Sequence, residues 1–162
     1  MRLLSLLTML GLLIPRLGAA QLATTFADAQ ARGLRITHLD STYRRARHAD
    51  TAQAAFAGRE QEAAAAYGQL LQALGKYLHG HGFVWGKLTK GFNRVYFRPD
   101  GTIDYYLYNF RSGEVTAEKE AEFRRLLGEF IKTNRIALTG RMPFAQCSPV
   151  TYVDAKAEKQ KN

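Results

Sequence analysis

Histidine and cysteine are the residue types in this sequence that best suit metal binding or nucleophilic catalysis. His79 and His81, separated by one glycine, can share a metal ion, but a usable site needs a third or fourth ligand. The other candidate ligands lie far away in sequence. Cys147 becomes a nucleophile only beside a base, and no histidine accompanies it. We therefore predict no metal site, no cofactor and no catalytic residue, and keep a small metal- or thiol-dependent enzyme as the last alternative.

The stretch between Glu62 and Asp100 holds five cations and no acidic residue, and aromatic residues interleave with the cations. Proteins that follow a polyanion while stacking on planar groups use such a pattern. Aromatic residues near a hairpin are more often packed in the core, with the cations around it, and we favour that interpretation. The candidate binding residues of this region and the strand that follows it are Trp85, Lys87, Lys90, Phe92, Arg94, Tyr96, Arg98 and Tyr106.

Part of this stretch, residues 90–97, resembles the RNP1 signature of RNA-recognition modules. Five positions agree, but Asn93 and Arg94 occupy the fourth and fifth, where that family has a small residue and a stacking aromatic ring. The companion strand of that family lies about 30 residues upstream, where this chain is alanine-rich. We therefore exclude RNA recognition and predict no nucleic-acid partner.

Two segments have the periodicity of amphipathic helices. Asp50 is a suitable N-cap for the first, which is predicted to run to about His79 and to end at Gly80 and Gly82. Thr116 is a suitable cap for the second. The apolar stripes comprise Tyr67, Leu70, Leu71, Leu74, Tyr77 and Leu78 in the first helix and Phe123, Leu126, Leu127, Phe130 and Ile131 in the second.

A β-hairpin is predicted over residues 94–98 and 103–110, because both alternate around a Pro99-Asp100-Gly101 turn. Residues 143–149 are predicted to be a loop and 150–153 a closing strand. Aromatic residues on both faces indicate that the sheet is covered on both sides. One face is predicted to hold Val95, Phe97, Ile103, Tyr105 and Leu107, and the other Tyr96, Tyr106 and Tyr108.

The first part of the chain has weaker signals. Thr24 or Thr25 is predicted to cap a short helix that ends near Arg32, with Gly33 after it. Residues 34–36 are predicted to be extended, and Asp40 to cap a helical turn over 43–47. The fold class is α+β: one domain, 21–153, packs an antiparallel hairpin and a closing strand against two amphipathic helices. Residues 154–162 are predicted to be a flexible charged tail.

The N-terminus has the pattern of a cleaved signal peptide, 1–20. Arg2 precedes an apolar stretch, 3–14, and small residues lead to a junction between Ala20 and Gln21. The stretch is shorter than the roughly 20 residues of a membrane span, and an uncleaved anchor would have to carry Arg16. We expect a periplasmic or secreted protein with no membrane span after cleavage. Its 21 basic and 14 acidic residues then give a net charge of +7.

The chain also resembles two groups of known proteins. The junction and the chain as a whole are similar to uncharacterised secreted or periplasmic proteins of the Bacteroidota. Residues 94–110, 123–131 and 149–153 resemble, in element order and turn chemistry, the C-terminal periplasmic module of TonB-type energy transducers. That resemblance implies binding of a partner's short peptide by strand addition, with 150–153 as the available edge. The family's anchor and proline-rich span are not expected here, so we expect no force transmission.

Three functions follow from these observations. The leading hypothesis is a non-enzymatic binding or adaptor module that contacts another envelope protein through its hairpin face or a sheet edge. The first alternative is a basic module that binds an anionic lipid head group or polysaccharide through its cations, because such polyanions are abundant in the envelope. The second alternative is the small enzyme described above.

Cleavage after Ala20 is directly testable. The intact mass of the protein recovered from the producing cells is expected to correspond to a chain that begins at Gln21. An Ala20→Arg variant is expected to keep residues 1–20, because signal cleavage needs a small residue before the junction. A wild-type mass that includes residues 1–20 would contradict the prediction.

Overall fold

The computed structural model describes residues 20–154. The predicted signal peptide, apart from Ala20, and the predicted tail beyond Asp154 lie outside the described residues. The strands are β1 (Leu22–Thr25), β2 (Arg44–Arg45), β3 (Thr89–Phe97), β4 (Ile103–Phe110) and β5 (Phe144–Tyr152), and the helices are α1 (Phe26–Ala31), α2 (Ile36–Thr42), α3 (Glu60–Gly80) and α4 (Ala117–Thr133). None of the helices in this part of the chain has the length and apolar character needed to cross a membrane.

The five strands form one mixed sheet in the order β1-β4-β3-β5-β2. The predicted hairpin is confirmed: β3 and β4 pair in antiparallel fashion on either side of the turn at Gly101. The predicted loop over 143–149 is wrong, because β5 already begins at Phe144 and pairs with β3 over nine residues. Gln146, Ser148 and Pro149 are poor strand formers, so pairing with β3 overrides their local preference.

A β-bulge in β4 changes the face on which its residues lie. Tyr96 pairs with Tyr105, but Phe97 pairs with Ile103, so Asp104 is an extra residue. The predicted faces are therefore right for β3 and for Ile103 but wrong for β4 beyond the bulge, residues 105–108. The face that packs on α3 and α4, here the inner face, holds Val95, Phe97, Ile103, Tyr106 and Tyr108, whereas the outer face holds Tyr96, Tyr105 and Leu107.

The two long helices cover the inner face. The predicted apolar stripe of α4 is buried throughout, and the Thr116 hydroxyl accepts from the Lys119 amide as an N-cap does. The stripe of α3 is likewise buried or partly buried. The predicted start of α3 at Asp50 is wrong: residues 51–53 form a 3₁₀ turn, and the α-helix begins at Glu60. Phe56 explains the interruption, because its ring packs edge-to-face on Phe144 at 4.8 Å between centroids.

Two short helices cover part of the outer face. The predicted α1 cap is confirmed, since the Thr25 hydroxyl accepts from the Asp28 amide. The predicted extended segment 34–36 runs into α2 at Ile36, and the helical turn predicted after Asp40 is wrong, because Asp40 lies inside α2. The chain leaves the helix at Tyr43, which is buried: its ring contacts Tyr96 edge-to-face at 5.1 Å.

Gly101 makes the turn between β3 and β4 sensitive to substitution. Its φ is +84°, and a Cβ there would collide with the carbonyl oxygen of Ile136. Gly101→Ala is expected to lower the free energy of unfolding by about 2–4 kcal/mol, from left-handed backbone strain and the collision together. Gly113 is the control position, because its φ is +75° and a Cβ there would meet nothing within 4 Å. Gly113→Ala therefore introduces the backbone strain without a collision. Urea unfolding should show only about 1–2 kcal/mol for Gly113→Ala, and equal losses would contradict the prediction.

Candidate functional site

Three of the predicted binding residues are buried. Trp85, Tyr96 and Tyr106 are each at most 5% exposed. Tyr106 lies in a hydrogen-bonded cluster on the inner face, where its hydroxyl accepts from the Asn93 side-chain amide at 2.6 Å. On the outer face, the Tyr96 hydroxyl donates to Asp40 at 3.0 Å. Burial raises the pKa of both phenols above their ordinary value, so both are neutral donors or acceptors near neutral pH.

The predicted cations are mostly engaged with carboxylates. The Arg94 guanidinium lies 3.0 Å from Asp40, and Lys87 Nζ lies 3.8 Å from Glu114. Arg98 donates to Asp104, the bulge residue, at 2.6 Å. Opposite charges at these distances reduce the positive potential that an anionic ligand would meet.

Lys90 and Phe92 lie farther along β3 on the outer face, at the margin of the part that α1 and α2 cover. Both are exposed, and the Phe92 ring is 6.2 Å from the ring of Phe26. The structure therefore brings Lys90, Phe92 and Arg94 to one side of the sheet. It places Trp85 and Tyr106 in the inner core, so the predicted residues do not form one surface.

The most distinctive open feature is an edge of the sheet that the sequence located only in part. β2 pairs with β5 at two positions, Phe144 and Ala145. The Ala46 amide donates to the Ala145 carbonyl at 2.8 Å, and the chain then leaves the sheet. Within residues 20–154, no strand pairs with β5 from Gln146 to Tyr152 on that side. We call this segment the β5 edge.

The backbone groups along the β5 edge alternate in direction. The Ala145 carbonyl points toward β2, so Cys147, Pro149 and Thr151, at steps of two residues, direct their backbone groups to the same side. Pro149 has no N–H to offer there. The edge therefore presents three carbonyl acceptors and two amide donors to that side. One of the acceptors, the Cys147 carbonyl, also accepts a long hydrogen bond from the Gln146 side-chain amide at 3.4 Å.

An apolar groove runs beside the β5 edge on its inner side. The groove has a volume of about 540 Å³ and lies between α3 and the second half of β5. Gly75 leaves it open, because a Cβ at that position would meet nothing within 4 Å. The lining residues that matter most are Leu71, Gly75 and Lys76 on α3, Trp85, and Val150 and Tyr152 on β5.

Asp154 holds one wall of the groove in place. Its carboxylate accepts from the backbone amides of Trp85 at 2.6 Å and Gly86 at 3.0 Å. These bonds join the loop before β3 to the end of β5. The Trp85 ring consequently stacks on Tyr152, with 4.7 Å between centroids and 22° between planes. Lys119 of α4 also binds the loop before β3, because its ammonium group donates a hydrogen bond to the Val84 carbonyl at 2.8 Å.

A basic depression of about 450 Å³ lies at the other end of the β5 edge, where β2 ends. Arg45, Arg47 and His48 line it together with Gln146 and Cys147. Among the described residues, no carboxylate forms a salt bridge with these two arginines. The pKa of Glu60 is lowered mainly by hydrogen bonds from backbone amides, and Arg47 adds only a smaller electrostatic effect.

The residues considered for metal or thiol chemistry do not converge. His79 and His81 are exposed at the end of α3, and the centroid of the His81 ring lies 4.0 Å from that of Tyr77, with the two planes tilted by 34°. Cys147 is exposed on the β5 edge. Within residues 20–154, no three His, Cys, Asp or Glu side chains are grouped so that they can hold a metal ion.

One sequence signal pointed to the edge. A proline inside an alternating run is typical of an edge strand, since its missing N–H is tolerated only where no strand pairs. Pro149 carries that signal. The groove had no such signal, because it depends on how α3 packs beside β5.

No protein-family model matches the chain, and neither a curated protein nor a solved structure is significantly similar to it. The geometry of its own residues therefore carries the functional argument.

Trp85 is the single tryptophan of the chain, so its fluorescence reports on the groove. Asp154→Ala is expected to shift the emission to longer wavelength and to increase quenching by acrylamide, because the loop loses two charge-assisted bonds. The free energy of unfolding should fall by about 1–2 kcal/mol. Asp50→Ala is the matched control, since Asp50 accepts from the Ala52 amide in another exposed loop. An unchanged Trp85 spectrum in Asp154→Ala would contradict this role for Asp154.

Proposed function

We propose that the protein is a non-enzymatic binding module of the periplasm or the secreted fraction. It binds an extended segment of another envelope protein as an additional strand on the β5 edge. The observation that carries this proposal is the combination of unpaired strand backbone, from Gln146 to Tyr152, with an apolar groove directly beside it. Strand addition of this kind takes affinity from main-chain hydrogen bonds and specificity from pockets for alternate side chains.

The energetics favour an extended peptide. Its backbone can bond to the amides of Cys147 and Thr151 and to the carbonyls along the edge, at about 0.5–1.5 kcal/mol net for each bond. Every second side chain of an added strand faces α3 and enters the groove. One apolar side chain that is fully buried there contributes about 1.5–3 kcal/mol. Together these terms suit a reversible complex.

Three observations support the envelope as the place of action. Residues 1–20 have the signal pattern, the junction after Ala20 has the form expected of secreted Bacteroidota proteins, and the TonB-type resemblance expected from the sequence implies strand addition at the last strand. The residues expected to form the edge, 150–153, overlap the β5 edge of the structure. β1, the strand at the opposite end of the sheet, is less suited to a partner because it has four residues and continues directly into α1.

The alternatives have less support from the geometry. Arg94 and Arg98 bind Asp40 and Asp104, which weakens the case for an anionic lipid or polysaccharide on that face. The enzyme hypothesis gains a histidine near Cys147, because His48 lines the same depression. Its ring nitrogen Nδ1, however, lies 3.1 Å from the backbone of Asp50.

Filling the groove tests the proposal without weakening the fold. Gly75→Leu places a side chain in the groove and improves helix propensity, by up to about 1 kcal/mol. A photo-crosslinking residue at Gln72, on the exposed rim of α3, is expected to capture a partner segment in the native envelope, with the attached residues mapped by mass spectrometry. The adduct is expected to disappear in Gly75→Leu.

Gly68→Leu is the matched control. Gly68 is also in α3, and a Cβ at that position would likewise meet nothing within 4 Å, but Gly68 does not line the groove. The adduct should persist in this variant. If both variants keep the same adduct, the groove is not the binding site.

A further inference from the structure

The basic depression lies in line with the groove along the β5 edge. β2 pairs with β5 only at Phe144 and Ala145 among the described residues. A strand added to the β5 edge therefore begins beside β5 where β2 ends, and it runs along the rest of β5. One end of that strand therefore meets Arg45, Arg47 and His48, and the other end meets Trp85 and Val153. The two ends differ in chemistry: one is cationic and the other is apolar.

The direction in which each β5 side chain points determines which side chains of an added strand contact the groove and which contact the arginines. Val150 and Ser148 face α3, since Val150 lines the groove and the Ser148 hydroxyl donates to the Tyr67 hydroxyl at 3.3 Å. Cys147 faces the outer side, because it is two residues from Ala145, which pairs with Arg45 and packs in the outer core. The partner residue opposite Val150 thus enters the groove, and the one opposite Ser148 faces α3 near Tyr67. The partner residue opposite Cys147 faces the arginines.

We infer that the bound segment runs antiparallel to β5 and carries a carboxylate three residues after its first groove-filling side chain. This inference rests on the strand-addition function proposed above. Antiparallel pairing is the more stable arrangement per residue. In that direction, the segment has apolar side chains opposite Val150 and Ser148 and reaches Cys147 one residue later. Three residue steps span about 10 Å of extended chain.

Charge complementarity selects a carboxylate at that position. Arg45 is exposed and Arg47 faces solvent beside it, and both always carry a positive charge. Guanidinium groups bind carboxylates through paired hydrogen bonds. The carboxylate can come from an Asp or Glu side chain or from the C-terminus of the partner, and both sources present the same two oxygens.

A random heptapeptide library displayed on phage tests the inference with the purified protein. One format displays the peptide with a free C-terminus, and the other displays it followed by further chain. Selection on the wild type is expected to enrich two apolar residues at alternate positions followed directly by an acidic residue or a free C-terminus. If acidic residues are enriched in both formats, the carboxylate belongs to an Asp or Glu side chain. If binding peptides are enriched only in the format with a free C-terminus, the carboxylate is the C-terminal one.

Substitutions at the arginines give the affinity measurement. The selected peptide is expected to bind Arg45→Gln/Arg47→Gln about fivefold to tenfold more weakly. Neutralising its carboxylate, by Glu→Gln for a side chain or by amidation for the C-terminus, should have the same effect on the wild type. Arg32→Gln/Arg125→Gln removes two exposed charges elsewhere and should change affinity by less than about twofold. Equal affinity for the peptide with its selected carboxylate and the peptide with that carboxylate neutralised, or preference for the reversed sequence, would overturn the inference.

Failure of the parent proposal has a different signature. Thr151→Pro removes an amide donor from the β5 edge, and Thr151→Val removes only the hydroxyl. If selected peptides bind all three proteins equally, they do not add a strand and the proposed function is wrong. If they bind wild type and Thr151→Val, fail on Thr151→Pro, and lack the carboxylate, strand addition stands and the carboxylate inference alone is overturned.

Discussion

The extra residue at Asp104 is the constraint on which both layers of the protein depend. It turns Ile103 into the core beneath α3 and α4, while Tyr105 and Leu107 face α2. The Asp104 side chain is only 8% exposed. A buried carboxylate is costly unless it is paired, and here it accepts from the Tyr43 hydroxyl at 2.8 Å and from Arg98. Burial and this carboxylate raise the pKa of Tyr43, which stays a neutral donor.

Elements with local signals were predictable from the sequence, whereas elements that depend on remote partners were not. The turn at Gly101 and the cap of α4 follow from adjacent residues. β1 and β2 have only four and two residues, and each exists because a later strand pairs with it. The bulge could not be predicted either, because no residue type in β4 marks which position is the extra one. The candidate site depends on both effects, so among local sequence signals only Pro149 pointed to it, beside the edge over 150–153 that the TonB-type resemblance implied.

The β5 edge combines exposure with protection. An unpaired strand is a template for aggregation, and natural proteins limit that hazard with prolines, charges or short length. Pro149 interrupts the row of amide donors in the middle of the edge, and α3 restricts access from the inner side. A partner that tolerates one missing donor and fits the groove overcomes both obstacles. A second copy of the same edge gains less, because each copy then meets the other's proline.

The position of β1 has a consequence for the order in which the chain can fold. The Gln21 side chain donates to the Ile103 carbonyl, 82 residues away, and among the strands of residues 20–154 β1 pairs with β4 alone. β1 therefore has no strand to pair with until β4 has been made. Topologies with such distant contacts fold slowly. A polypeptide that stays unfolded while its N-terminus is already available is well suited to export before folding, which agrees with the route we propose for it.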